Sequence, residues 1–318
     1  MTDAPLFSVI IPVFNRAKPL ARALRSVLDQ SCQDFEIVVV DDGSVDEPQT
    51  VAEAFGDARI RVVRQDNRGG GAARNTGIDL ARGRLVAFLD SDDVFLPGHL
   101  ETMRRLLDGT RDTAGYAPMV VDRGEGRTFV KPPRAIDADE HMANYLMCDR
   151  GFVPTITLVL ERDLAQRVRY SDTLPFAQDT DFAIRLYLAG CKFVMAEAPG
   201  AIWQDTHDPS RASAGRKGAR LLTWIERLRP QIPDRAYHGC RGWMIAKGVA
   251  AASPLAALRL YWHAVTRGCY SARLAATVFL QIFFPDRLYR RLADRAIALT
   301  RGAVWSRGER GRLRIVNP

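Results

Sequence analysis

With 318 residues the chain exceeds one average domain, so a large domain with an appendage, or two domains, is expected. Its 47% hydrophobic and 26% charged residues exclude wholesale disorder, and 24 glycines without a triplet period exclude collagen. The net charge of +8 hides a division, since residues 211–318 carry 21 Lys and Arg against 5 acids and the first 210 carry 24 against 32. That asymmetry suggests an acidic part that holds metal or catalyses and a basic part facing an anionic partner; solvated arginine-rich helices are the plainer account.

The opening stretch MTDAPLFSVIIPVFNR has no basic n-region, and Pro12 and Asn15 break its apolar run, so it reads as a strand and not as a signal peptide. FSVIIPV (7–13) and EIVVV (36–40) suit strands buried on both faces of a parallel sheet. Between them, Leu20, Leu24, Val27 and Leu28 stand at helical spacing over Ala17 to Gln30, completing a βαβ unit. A helix near 47–55 and a strand at 59–63 follow, then a glycine-rich turn at 69–71, a helix to about Ala81 and a strand at 84–89. This alternation predicts an α/β fold with a doubly wound, mostly parallel sheet and ligands beyond the carboxyl ends of its strands.

After Pro97, placed in a first turn, a helix is expected to about Leu107, with short strands at Ala117–Val121 and Thr128–Val130. Helical patterns at 137–147 and 179–189 flank an apolar strand at 155–160, and from Ala214 the chain reads as helical. The composition turns basic near 205–215, which places a catalytic domain at 1–210 and a basic helical region at 211–318. Five scattered cysteines without a C-x-x-C pair argue against a disulfide framework or structural zinc and for a reduced cytoplasmic protein. The apolar run Leu274 to Phe284 spans eleven residues, too few for a bilayer-crossing helix of about 20.

Three acidic groups stand where such a sheet would present them. Asp41 and Asp42 follow EIVVV, Asp90-Ser91-Asp92-Asp93 follows RLVAFL, and Asp179 and Asp181 open the helix DTDFAIRLYLAG. Like charges at strand ends repel unless a cation or donors compensate. Two carboxylates at period two, Asp90 and Asp92, suit Mg²⁺ or Mn²⁺ completed by substrate phosphates; the alternative is a turn or N-cap. The segment Asn67 to Gly77 carries G-x-G but has Arg74 where a dinucleotide fingerprint needs its third glycine, and it lacks a P-loop lysine. It remains either a helix N-terminus meeting a diphosphate with Arg74 or a plain tight turn. No G-x-S-x-G or H-E-x-x-H occurs, and the five histidines lack metal-ligand spacing.

In order, SVIIPVFNR, VVVDDGSVDE, NRGGGAARNTGI, VAFLDSDDVFLPGHL and QDTDFAIRL resemble the family 2 glycosyltransferases, inverting enzymes of the GT-A fold that use nucleotide-diphosphate sugars. The resemblance is dense over 7–100, patchy to about 213 and thin beyond. It implies that Pro12, Phe14, Asn15 and Arg16 border the nucleotide, with Asn67 nearby. Asp41 and Asp42 are the pair of which one holds the base, usually uracil. Arg74 matches the arginine of the family's A-R-N-x-G segment, near the donor. Asp90, with Ser91, faces ribose or sugar hydroxyls, Asp92 binds the metal and Asp179 is the general base. His207, in a segment matching the family's H-x-x-S-x-S, reaches the metal or diphosphate or lies on plain surface.

Gln178 replaces the usual Glu before the base, so the charge environment of Asp179 is less negative, and a non-catalytic nucleotide-sugar binder stays as an alternative. The implied acceptor is a hydroxyl of a glycan or lipid-linked molecule in cell-surface polysaccharide synthesis. Tryptophans among the arginines of 211–318 suit an anionic membrane surface on the inner face of the plasma membrane, or else pack the helices together. A sugar-nucleotidyltransferase would carry a glycine-rich loop where PVFNRAKP stands, and no recognised nucleic-acid-binding motif appears.

Overall fold

The apolar run Phe7–Val13 forms β1, inaccessible to solvent except at half-buried Pro12. In the computed structural model, which describes residues 4–174, 176–205, 218–285 and 288–290, with 218–220, 304–307 and 313–316 as backbone, β1 is central to a seven-stranded sheet. β2 (Phe35–Asp41), β3 (Ile60–Arg64) and β4 (Leu85–Phe88) join it in parallel, with Val13 opposite Asp41 and Asp41 opposite Arg64. α1 (Ala17–Leu28) buries Leu20, Ala23, Leu24 and Val27, the 3.6-residue stripe expected of a helix lying on a sheet. α2 (Pro48–Glu53) begins with proline at a first-turn position, where a missing N–H costs little.

Gly69, at φ +89°, caps α3 (Gly70–Leu80), and a Cβ on Gly77 would lie 2.3 Å from Ile10 Cγ2. Only glycine lets this helix approach β1 so closely. Beyond β4 come β5 (Val94–Phe95) and α4 (His99–Leu106). Pro97 stands outside that helix, ahead of Gly98 at φ +84°, and not in its first turn.

The strand expected at 117–121 begins two residues later, at Met119, and a further strand precedes it. β6 (Thr113–Tyr116) belongs to the large sheet and β7 (Met119–Asp122) to a second one, of order β5–β11–β7–β8, with β8 at Thr128–Lys131 and β11 at Ala201–Gln204. Pro118 sits at the change of sheet, where it cannot donate to a continuing ladder. The expected strand at 155–160 is likewise a 3₁₀ turn, Thr155–Thr157, followed by β9 (Val159–Glu161). Thr157 Oγ1 donates to Ala117 O at 2.7 Å and accepts from Ala117 N at 3.2 Å, so a side chain replaces the backbone pairing there. α6 (Arg162–Val168), α7 (Gln178–Leu188) and β10 (Lys192–Met195) complete the large sheet in the order β10–β6–β9–β4–β1–β2–β3, antiparallel only at β9.

The chain divides into two compact units: Met1–Asp122, Val130–Ala135 and Val153–Thr206 in one, and Arg123–Phe129, Ile136–Phe152 and His207–Pro318 in the other. The second unit is mainly helical, with α5 (Met142–Cys148), α8 (Gly218–Leu228), α9 (Asp234–Cys240), a π turn at Arg241–Ile245, α10 (Ala246–Val249), α11 (Pro254–Thr266) and α12 (Ala272–Phe283). Trp224 is buried, and Trp243 Nε1 donates to Gln281 Oε1 at 2.7 Å, so these two tryptophans serve packing. The backbone of 304–307 and 313–316 pairs as an antiparallel ribbon, a departure from the all-helical expectation. Among the described residues no helix is long and apolar enough to cross a membrane.

His99 on α4 is buried against Phe95 at 4.6 Å between ring centroids, and neither ring nitrogen has a hydrogen-bond partner. Burial pushes its pKa down to about 3. The folded chain therefore keeps this imidazole neutral while the unfolded chain protonates it below about pH 6.5, so stability falls as pH drops through that window, by roughly 1.4 kcal/mol per pH unit. His99→Leu is expected to flatten the acid side of the melting-temperature profile between pH 6.5 and 4. An unchanged slope would assign the loss to other groups.

Candidate active site

Because β1, β2 and β4 run parallel, the polar residues that end their apolar runs emerge on one rim of the sheet. Asp42 N donates to Val13 O at 2.9 Å and Leu89 N to Ile10 O at 3.1 Å, which brings the ends of the three strands level. Asp41 and Asp42 are both buried, yet each is compensated. Asp41 accepts from Ser44 N at 2.8 Å and from Arg64 Nη1 at 2.6 Å. Asp42 accepts from Gln65 Nε2 at 2.7 Å, Arg68 N at 3.0 Å and Gly69 N at 2.8 Å. Asp42 thus ties the strand end to the loop that opens α3, and Asn67 backs onto the same turn, its N 3.0 Å from where a Gly43 Cβ would stand.

The first loop docks on the second. Asn15, at φ +52°, donates from its N to Ser44 Oγ at 3.0 Å and accepts from Val45 N at 2.9 Å through Oδ1. Phe14 beside it is 46% exposed, an unusual place for a phenylalanine with no apolar cover. Arg16 donates to the Asp92 carboxylate, and Arg22 Nη2 reaches Asp92 O at 3.5 Å. Ser91 and Asp93 are buried, and Asp93 Oδ1 accepts from Gln204 N at 2.9 Å, which makes it a link between the 90–93 turn and β11.

Arg74 is the hub. From α3 it donates through Nη2 to Asp90 Oδ1 at 2.5 Å and through Nη1 to Gln178 Oε1 at 3.1 Å, and its guanidinium lies 5.3 Å over the Tyr170 ring. Tyr170 is buried, stacks on Phe182 of α7 at 4.1 Å, and is held by Asn75, which accepts from Tyr170 N at 2.8 Å and donates to Tyr170 O at 2.9 Å. An aromatic shelf therefore sets the height of the guanidinium above the rim. Gln178 Nε2 donates to Leu174 O at 2.7 Å, fixing which end of the amide faces Arg74.

Asp179, in the first turn of α7, is half-buried, and burial pushes its carboxyl above the usual aspartate range. The Thr180 N–H, Lys131 and Arg74 pull it back down, while Asp90 pushes it up. Asp90, Arg74, Gln178 and Asp179 therefore form one electrostatic group drawn from the turn after β4, from α3 and from α7. Asp181 is separate: buried, it pairs with Arg185 of its own helix at 2.6 Å and has a structural role. His207 lies outside the described residues. Tyr170, the contact between Gln178 and Arg74, and Lys131 are absent from the sequence expectations, because the chain distances between them carry no local signal.

Among the described residues no three His, Cys, Asp or Glu side chains converge as an all-protein metal cage. Mg²⁺ and Mn²⁺ do not need one, since one or two carboxylates plus substrate phosphates suffice. Asp90 and Asp92 supply two hard oxygen donors two residues apart, each beside a guanidinium able to turn toward a phosphate. The donor set fits such a cation.

Residues 8–168 match the family described as Glycosyl transferase family 2. The chain belongs to that family. The glycosyltransferase is 31% identical over 242 residues to the amylovoran biosynthesis glycosyltransferase AmsB of Erwinia amylovora, covering 72% of this chain and 79% of that one. It is also 31% identical over 189 residues to an uncharacterized glycosyltransferase of Rickettsia felis, covering 57% of this chain but only 31% of that protein. Among solved structures it is similar to S. aureus TarS 1–349 in complex with UDP-GlcNAc, with a TM-score of 0.63, 18% identity and coverage of 98% and 96%. The mannosyltransferase PcManGT from Pyrobaculum calidifontis, in complex with GDP-Man and Mn²⁺, aligns with a TM-score of 0.56 at 19% identity, covering 94% of this chain and 88% of that one. These likenesses establish the GT-A fold.

Proposed function

We propose that this glycosyltransferase moves a sugar from a nucleotide-diphosphate sugar, a uridine one in the first instance, to a hydroxyl of a glycan or lipid-linked acceptor in polysaccharide synthesis, with inversion at the anomeric carbon. The observation that carries the reading is the group around Arg74, whose guanidinium bridges Asp90, just past a strand end, and Gln178 at the start of α7, beside Asp179, whose carboxyl pKa is raised by burial. The nucleotide lies against Pro12, Phe14, Asn15 and Arg16, with the base read near Asp41 and Asp42 and with Asn67, Asp90 and Ser91 toward the ribose and sugar. The part of AmsB in amylovoran biosynthesis and the UDP-GlcNAc complex of TarS support a biosynthetic transfer from a nucleotide-sugar donor.

In this reading the acceptor oxygen attacks the anomeric carbon from the face opposite the diphosphate, the bond to the diphosphate breaks, and the leaving group takes the electron pair. Asp179 receives the acceptor proton. A general base must be deprotonated to act, and a carboxyl raised above its ordinary range is a stronger base than a solvated aspartate. Arg74 and Arg16 present fork-shaped cations to the phosphate oxygens, where charge grows as the bond breaks. Asp92, with His207 as a further ligand, would hold Mn²⁺ or Mg²⁺, and the chemistry that cation would supply is electrophilic stabilisation of the diphosphate.

The test is a melting-temperature panel with UDP-, GDP- and dTDP-sugars, each with and without Mn²⁺, followed by NMR of the anomeric proton of the product. A ligand at 100 times its Kd stabilises by about 2.7 kcal/mol, enough for a shift of several degrees. A UDP-sugar is expected to raise the melting temperature most, the more so with Mn²⁺, and the product to carry the anomeric configuration opposite to the donor. Retention of configuration would remove Asp179 as a base acting in a single displacement.

A further inference from the structure

The helical unit exposes apolar side chains that packing does not require. On α11, Leu255, Leu258 and Trp262 are 72%, 42% and 61% exposed, while Ala257, Tyr261 and Ala264 are buried on the opposite side. Spacings of three and four residues put the exposed three on one face. Phe279 of α12 and Phe284, just past the end of that helix, are also exposed, and Tyr261, from the buried side of α11, packs against Phe279 at 5.6 Å between centroids. Three large apolar side chains grouped on one exposed helix face mark an interaction site more often than singly scattered ones do.

Its surroundings name the partner. Between Asp234 and Asp286 the chain carries six Lys and Arg and no acid. Arg259 and His263 are exposed on α11, and Arg267 and Arg273 are exposed where the chain passes from α11 to α12. α11 has 13 residues and α12 has 12, about 20 Å each at 1.5 Å per residue, far short of the roughly 30 Å hydrocarbon core. A short helix with an exposed tryptophan and two leucines, flanked by exposed arginines in a stretch of chain without acids, matches the chemistry of an interface whose outer layer is anionic and whose inner layer is apolar.

We propose that the Leu255–Leu258–Trp262 face of α11 rests on an anionic lipid surface, with the apolar side chains entering the headgroup boundary and Arg259, Arg267 and Arg273 contacting lipid phosphates. The surface is independent of the transfer reaction and does not rest on its assignment.

The experiment is flotation of the full chain with vesicles of phosphatidylcholine alone and with phosphatidylglycerol added, for wild type, Leu258→Ser/Trp262→Ser and Arg259→Glu/Arg273→Glu. Melting temperature and circular dichroism confirm that each variant is folded. Wild type is expected to float with the anionic vesicles and to be released by salt. Both double variants are expected to lose at least about tenfold in partitioning. Flotation of folded Leu258→Ser/Trp262→Ser equal to wild type would overturn the proposal, as would equal binding to neutral and anionic vesicles. Absence of flotation together with concentration-dependent self-association that the same variants abolish would assign the face to a second copy of the chain instead.

Discussion

Asp179→Asn is expected to lower the rate of sugar transfer by about 10²–10⁴-fold while leaving donor affinity nearly unchanged, the range typical for loss of a positioned general base. The substitution is nearly isosteric. Asp179 accepts from Thr180 N at 2.8 Å, and an asparagine carbonyl accepts the same bond, so the start of α7 is preserved. The residue's distinctive property is electrostatic: burial raises its pKa against the pull of Lys131 and Arg74. Sign follows from direction. The carboxylate is the active form, so the acid limb of kcat/KM lies above the pH at which a free aspartate titrates. In the asparagine variant that limb disappears from the residual activity. Measuring kcat/KM against pH for both proteins, with donor Kd by calorimetry, checks the rate and the limb separately. A variant that turns over at wild-type speed, or one that keeps the same limb, would remove Asp179 from proton transfer.

Arg74→Gln is expected to cost about 10²–10³-fold in kcat, comparable to loss of one preorganised donor to a developing anion. It is also expected to shift the acid limb. Arg74 lowers the Asp179 pKa, so without it the carboxyl rises further and the limb moves to higher pH. A residue that only propped up the fold would not move that limb. Asp90, whose carboxylate faces Arg74 at 2.5 Å, would lose its paired cation at the same time, so donor affinity should fall as well. Arg74→Lys keeps the charge but cannot span Asp90 and Gln178 with two arms while lying flat over Tyr170. It is expected to restore the position of the limb and only part of the rate. If Arg74→Lys and Arg74→Gln show the same limb, the guanidinium does not tune Asp179.

The first βαβ halves were legible because their signals are local. Apolar runs such as Val9–Ile11 and Ile37–Val40 are buried completely, and the stripe Leu20, Leu24, Val27 is the face α1 turns to the sheet. Polar residues directly after an apolar strand must emerge at its carboxyl end, so Asp41, Asp42 and Asp90 could be placed on one rim without coordinates. Other parts depend on contacts distant in sequence. The apolar run at 155–160 carries no mark distinguishing a strand from a buried 3₁₀ turn, and the choice follows from Thr157 meeting Ala117. The pairing of Arg16 with Asp92 spans 76 residues, and that of Arg74 with Gln178 spans 104. The five cysteines look unrelated along the chain, yet Cys148 Sγ donates to Arg235 O at 3.1 Å and Arg235 Nη2 donates to Cys269 O at 3.3 Å in the helical unit, and all five remain buried free thiols.

Sequence by itself determined the family, the parallel sheet, the rim on which the acidic residues emerge and the basic character of the helical unit, because each follows from residue type, order and short-range periodicity. Tertiary structure alone decided that Arg74 lies on Tyr170 between Asp90 and Gln178, that Asp181 and Asp93 are structural ties, and that Trp224 is buried while Trp262 faces outward. Charge compensation and burial are properties of neighbours in space. The chain order holds the residues that will meet, and folding sets the distances at which their charges act.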